Sequence, residues 1–132
     1  MALTKLTNTI VASNIAGDIK GNFDSTSHHN LIGEVRSAVN LINGVNGNLV
    51  GTQASPIDAK LSALGDYGGP TKTHRLLASS PAIDAGDNDV ALLSNLVEDQ
   101  RGEDRIVDWM EDDIDARIDI GAVELAFDEI YS

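Results

Sequence analysis

The chain contains no cysteine, which excludes disulfides and thiolate metal centres. Aromatic side chains are almost as scarce: two Phe, two Tyr and one Trp. Tyr67, Trp109 and Tyr131 lie too far apart to suggest a stacking platform for sugars. There is no apolar run of about 18 residues, so no membrane-spanning helix is expected. Met1-Ala2-Leu3-Thr4-Lys5 opens without the apolar stretch of a signal peptide. If the parent protein is exported, its signal is expected outside these residues. Basic side chains are also few, nine against 21 acidic ones, for a net charge of −12. Residues 1–51 carry three of each sign, so the whole imbalance falls on residues 52–132. So acidic a half repels phosphate backbones, and nucleic acid is not an expected partner.

What the chain does have is aliphatic. Leu, Ile, Val and Ala dominate a hydrophobic content of 42% in 132 residues, enough for one domain with a packed interior. Small and β-branched aliphatics suit closely spaced strands. Three segments share one pattern: Asn8-Thr9-Ile10-Val11, Asn30-Leu31-Ile32-Gly33 and Asn48-Leu49-Val50-Gly51. Asp18-Ile19-Lys20 and Glu34-Val35-Arg36 form a second recurring set. Between them lie turn-formers such as Gly17-Asp18, Gly21-Asn22 and Asn43-Gly44-Val45-Asn46-Gly47. The intervening elements are too short for stable helices. Short strands punctuated by Gly and Asn are what a β-solenoid needs, because those residues turn corners at low conformational cost. The pattern predicts an all-β fold, a right-handed parallel β-helix of few coils, with Ile10, Ile32 and Val50 in one interior column. A β-sandwich with Asn-rich hairpins is the alternative.

After Gly51 the repeat stops. Residues 1–51 are read as terminal coils and 52–132 as an irregular capping region of the same domain. Pro56 to Gly65 is expected to form a short helical turn and Asp66 to Pro70 a tight turn. Thr71 to Ile83 reads as extended, Asp89 to Val97 as another helical turn. Late strands are expected around Arg105-Ile106-Val107 and Ile118 to Glu124.

Four ordered strings carry a resemblance. They are Asp66-Tyr67-Gly68-Gly69-Pro70-Thr71-Lys72-Thr73-His74-Arg75-Leu76-Leu77, Ser80-Pro81-Ala82-Ile83-Asp84-Ala85-Gly86-Asp87-Asn88, Asp99-Gln100-Arg101-Gly102, and Asp119-Ile120-Gly121-Ala122-Val123-Glu124. Over about residues 7 to 124 the sequence resembles the C-terminal region of bacterial choice-of-anchor Q proteins, large β-helix proteins similar in style to polymorphic outer-membrane proteins. Tyr67 departs from the commoner Asn of the first string, and Trp109-Met110-Glu111-Asp112-Asp113 stands in a stretch that is often Gly/Asp-rich. The resemblance implies a fold and an extracellular or cell-surface location, but no catalytic set. It marks Gly68, Gly69, Pro70, Thr71, Thr73, His74, Pro81, Asp84, Gly86, Arg101, Asp119, Gly121 and Glu124 as structural motif positions.

Candidate sites follow from residue chemistry. Asp84, Asp87 and Asp89 lie in one Gly-containing turn, and Asp108, Asp112 and Asp113 sit in a denser cluster with Glu111 and Asp115. Calcium takes about six to eight oxygens from a foldable loop, which either segment could supply in part, though neither has EF-hand spacing. The bland reading is a solvated acidic surface, with Asp84 and Asp87 bonding turn amides. His28-His29 point apart if extended, poor geometry for one metal. His74 is either a general base or a buried or half-buried imidazole bridging the Gly68-Gly69-Pro70 turn to the last coil; no nucleophile or partner acid is positioned by spacing. Arg101 and Asp104-Arg105 are expected to form local ion pairs. A polysaccharide lyase needs calcium-binding carboxylates and a basic residue, and a hydrolase two or three carboxylates on a groove. Asp18, Asp24, Glu34, Lys5, Lys20 and Arg36 are scattered along the sequence, so such a fragment is the less expected reading.

The expected role is therefore structural and non-catalytic: ending and capping a β-helix, since open strand edges invite aggregation. An adhesive carbohydrate- or protein-binding module is the rival. The expected partners are the rest of a larger β-helix protein, or a second copy paired through the N-terminal coil near Leu6, Ile10 and Ile15. No cofactor is certain, and calcium is the one candidate.

Overall fold

The computed structural model describes residues 3–105 and 117–125. The expected strand at Ile106-Val107, Trp109 and the candidate ligands Asp108, Asp112 and Asp113 lie outside the described residues. Among the described residues regular structure is mostly β, in a parallel sheet of four strands, with one short helix. The chain divides into two compact units, residues 1–59 and 60–132.

The first unit holds β1 (Ile10–Val11), β2 (Ile19–Asn22), β3 (Leu31–Val39) and β4 (Leu49–Thr52). β3 is the common partner, and every strand pairing is parallel. Its first residues, Leu31 and Ile32, lie between β1 and β4; its later ones, Val35 to Val39, pair with β2. Isolated parallel bridges Thr4–Phe23 and Thr7–His28 extend the same stacking. The second recurring set of the sequence meets as read, with Ile19 opposite Val35.

The interior column is corrected by one residue. Leu31 lies between Ile10 and Leu49, while Val11, Ile32 and Val50 form the next row beside them. Ile32 and Val50 are buried with Phe23 and Leu41, and Leu6, Val11, Ile19, Val35 and Ala38 pack around them. Ile15 is 99% exposed and takes no part. The slip has a polar cause. Asn30 and Asn48 are both buried, and the Asn48 Oδ1 accepts the Asn30 amide at 3.1 Å and the Asn30 Nδ2 at 3.0 Å. Above them the Asn30 Oδ1 accepts the Thr9 amide at 3.0 Å, so Thr9, not Asn8, stands in the Asn column. Asn30 Nδ2 also donates to the Leu6 carbonyl, and Asn48 Nδ2 to that of the buried Ser27. The ladder thus satisfies backbone groups that would otherwise be buried unpaired.

Asn8 sits instead at a corner. Its φ is +51°, that of His29 is +55° and that of Gly47 is +70°. The Asn8 amide donates to the His28 carbonyl and the His29 amide to that of Asn46, so these three left-handed residues stack in successive passes of the chain. Asn, His and Gly are the residue types that tolerate such a φ.

The second unit has no repeat. The helical turn expected at Pro56 to Gly65 does not form, because the segment pairs with another part of the chain. Leu61 bridges Leu76 and Gly65 bridges Thr73, both antiparallel, and Lys60 takes φ +52°. Gly68 and Gly69, both at positive φ, turn the chain between Gly65 and Thr73. The later helical turn is present as α1 (Asn88–Leu93). Asp87 caps it: its Oδ1 accepts the Asp89 amide at 2.9 Å. The strand expected at Ile118 to Glu124 is absent: side chains take three of its amides, and that of Ile120 donates to the Ala82 carbonyl. Asn88 Oδ1 accepts the Ile118 amide, Glu124 that of Asp119, Asp99 that of Glu124, and Asp119 that of Leu125. No helix among the described residues is long and apolar enough to cross a membrane.

Candidate functional site

The four strings noted in the sequence meet in the second unit around buried charge. Asp99, Arg101, Arg105, Asp119 and Glu124 are each at most 8% exposed. Asp99 is the hub. Its Oδ1 accepts the amides of Arg101 (2.7 Å) and Glu103 (3.1 Å), and its Oδ2 accepts the Glu124 amide (2.9 Å). The same Oδ2 pairs with the Arg101 guanidinium at 3.3 Å. Arg101 reaches onward to the carbonyls of Tyr67 and Glu124. Gly69 lies against it so closely that a Cβ would stand 2.7 Å from the Arg101 Cα. That contact explains a glycine in the turn beyond its positive φ.

The remaining motif residues close the network. Asp119 Oδ1 accepts the Asp84 amide at 2.8 Å, and both Glu124 oxygens accept the Asp119 amide, at 2.9 and 3.0 Å. A Cβ on Gly86 would meet the Ile118 side chain at 2.6 Å. Arg105 Nη2 donates to the carbonyls of Asp119 and of Gly121, the latter at 2.7 Å. Arg101 thus makes the local ion pair expected of it, and Arg105 serves backbone carbonyls. Gln100 Nε2 reaches the Thr71 hydroxyl at 3.0 Å. Pro70 and Pro81 are exposed. Thr73 is buried, and its Oγ1 has no hydrogen-bond partner among the described residues.

Burial sets the protonation of this cluster. Loss of water, then the neighbouring Asp119, pushes the Glu124 carboxyl up to about 9. Loss of water, followed by the charge of Asp84, raises Asp119 to about 6, against the pull of its amide donors and of Arg105. The carboxylates receive amides and a guanidinium, and what they do chemically is to hold chain segments together. Asp99 and Arg105 escaped the sequence reading as site residues. For Asp99 the signal was its place in the third string.

The sequence candidates for other chemistry land elsewhere. His74 is exposed, not buried: its Nδ1 lies 2.9 Å from the Ser62 carbonyl on the adjoining antiparallel segment. Of the candidate calcium ligands, Asp87 caps α1 and presents its Oδ1 to an amide, while Asp84 and Asp89 are exposed. In the first unit Asp18 and Glu34, scattered in sequence, line one shallow cleft of about 460 Å³ with Asp58. Both Asp18 oxygens accept backbone amides there, those of Asn14 and Glu34, and Glu34 pairs with Arg36 at 3.1 Å.

The two adjacent histidines are a correction. They do not diverge. The Nδ1 atoms of His28 and His29 lie 2.9 Å apart, with the rings edge to face at an interplanar angle of 86°. The left-handed φ of His29 is what turns its ring back toward its neighbour. Ser25, Thr26 and Asn46 line a shallow cleft of about 400 Å³ beside them.

No family model, curated protein or solved structure matches the chain.

Proposed function

We propose that this chain is the closing segment of a right-handed parallel β-helix in a bacterial surface or secreted protein, similar to the C-terminal region of choice-of-anchor Q proteins, with a structural, non-catalytic role. One observation carries the reading: Leu31 pairs in parallel with both Ile10 and Leu49 while Asn30 bonds Asn48 beneath it and the Thr9 amide above. Such a column of parallel rungs with an internal Asn ladder is what a stacked coil supplies and a hairpin sandwich does not. The repeat does not continue into the second unit, as expected of a closing segment. That unit's motif residues Arg101, Asp119 and Glu124 support a structural role, since they are buried and bound to backbone groups rather than displayed on a groove. The natural partner is the rest of a longer β-helix, paired along β1.

A stack of coils accepts a whole extra coil. Residues 31–48 span one such repeat of 18 residues, so their tandem duplication within the full chain should leave it folded. The expected result is an increased β signal in circular dichroism and a single cooperative unfolding transition, whereas duplicating only residues 31–39 should disrupt the fold. An unfolded or aggregated whole-repeat insertion would overturn the reading.

A further inference from the structure

We propose that His28 and His29 chelate a divalent late first-row transition ion, copper(II) or nickel(II), at the corner between β2 and β3. Their Nδ1 atoms are 2.9 Å apart. Metal–imidazole bonds are about 2.0–2.1 Å long, so two nitrogens on one ion at a right angle stand about 2.9 Å from each other. A tetrahedral angle would set them about 3.3 Å apart. The observed separation therefore fits adjacent positions of a square-planar or octahedral site, the geometry of copper(II) and nickel(II), rather than a tetrahedral zinc centre. Without an ion, one Nδ1 must donate a proton to the other. On binding, that proton moves to the Nε2 of its own ring, and both Nδ1 lone pairs turn to the ion beside the line that joins them.

The surroundings hold this arrangement. The His28 amide donates to the Leu6 carbonyl and the His29 amide to that of Asn46, each at 3.0 Å, so both Cα positions are fixed by the layers on either side. The corner itself asks only for a residue that accepts a left-handed φ, as Asn8 and Gly47 show in the adjoining passes. Histidine at the middle position supplies a ligand atom besides. Gly47 leaves the ring its place: a Cβ there would stand 2.8 Å from the His29 Nε2. The cleft lined by Ser25, Thr26 and Asn46 opens beside the pair, leaving room for water or an outside ligand in the remaining positions of the ion. The inference does not depend on the β-helix reading.

The test is calorimetric titration of the full chain with nickel(II) and copper(II), each alone. One equivalent should bind, and His28→Gln and His29→Asn should each weaken binding at least tenfold. Both substitutions keep the backbone bonds, and Asn suits the left-handed position. His74→Gln should change nothing. On the native chain, trace copper(II) should broaden the imidazole NMR signals of His28 and His29 before that of His74 or any carboxylate. Unchanged affinity in His28→Gln, no saturable binding, or broadening that begins at the carboxylates would each overturn the proposal.

Discussion

The two units solve the problem of buried polar groups in opposite ways. In residues 1–59 the buried polar side chains are Ser27, Asn30 and Asn48, all uncharged, and each bonds backbone in a neighbouring layer. In residues 60–132 they include Asp99, Arg101, Arg105, Asp119 and Glu124. The first unit has strands to take up its amides; the second has few, so carboxylates take up the amides of residues 119, 124 and 125 instead. A repeat can be held by neutral amides, one rung at a time. An irregular chain needs a few acceptors that each collect several donors, as Asp99 does with three amides and a guanidinium.

The sharpest way to break the contrast is Arg101→Ala, which leaves the Asp99 carboxylate buried without its guanidinium. Removing one partner of a buried pair costs about 3–5 kcal/mol. Chemical denaturation should show the transition of the second unit collapsing, while the β signal of the first persists.

Next in size is pH. Glu124 has its folded pKa raised, so the stability it contributes is full below about pH 4.5, its ordinary value, and lost as pH rises to about 9. Asp119 loses its share between its ordinary 3.8 and about 6. The unfolding free energy of the second unit should therefore fall on going from pH 5 toward pH 9, by on the order of a few kcal/mol, and its denaturation midpoint with it. Glu124→Gln should flatten the slope. A midpoint that rises with pH in the native chain would remove the burial argument.

Asn30→Ala tests the neutral side. It orphans the Thr9 amide, a cost of about 1–3 kcal/mol when buried, while the Leu6 carbonyl keeps the His28 amide. Loss of hydrogen-exchange protection should centre on Thr9 and on the Asn48 layer and leave α1 unaffected. The smallest effect is expected of Asp87→Ala, about 1 kcal/mol for a lost N-cap. It should show as faster exchange in the first turn of α1, whether or not calcium is present.

The same contrast decides what could be read without coordinates. The parallel strands of the first unit announce themselves, because Asn30 and Asn48 recur with an aliphatic pair behind them. The one-residue slip at Asn8 does not: a tolerant residue at a corner looks like a rung of the ladder until the Thr9 amide is seen on Asn30. Lys60 to Gly65 has helix-compatible residues, and its extended form comes from Leu76 and Thr73, partners distant in sequence. The collecting role of Asp99 is equally long-range, since Glu124 lies 25 residues away. The histidine pair was hidden by a local rule, that neighbours in extended chain point apart; a single left-handed φ at His29 suspends it.

Finally, the passes of the first unit are unequal. Thr9 and Asn30 are separated by 21 residues, Asn30 and Asn48 by 18. The extra length does not fall on the paired rungs. Ile10 pairs with Leu31 and Ile19 with Val35, yet Ile10 and Ile19 are nine positions apart while Leu31 and Val35 are four. The surplus lies between β1 and β2, where Ile15 is 99% exposed and Ala16 and Gly17 take positive φ. Length is thus added at a turn without disturbing the rungs on either side, which makes this loop the place where a further insertion would cost least.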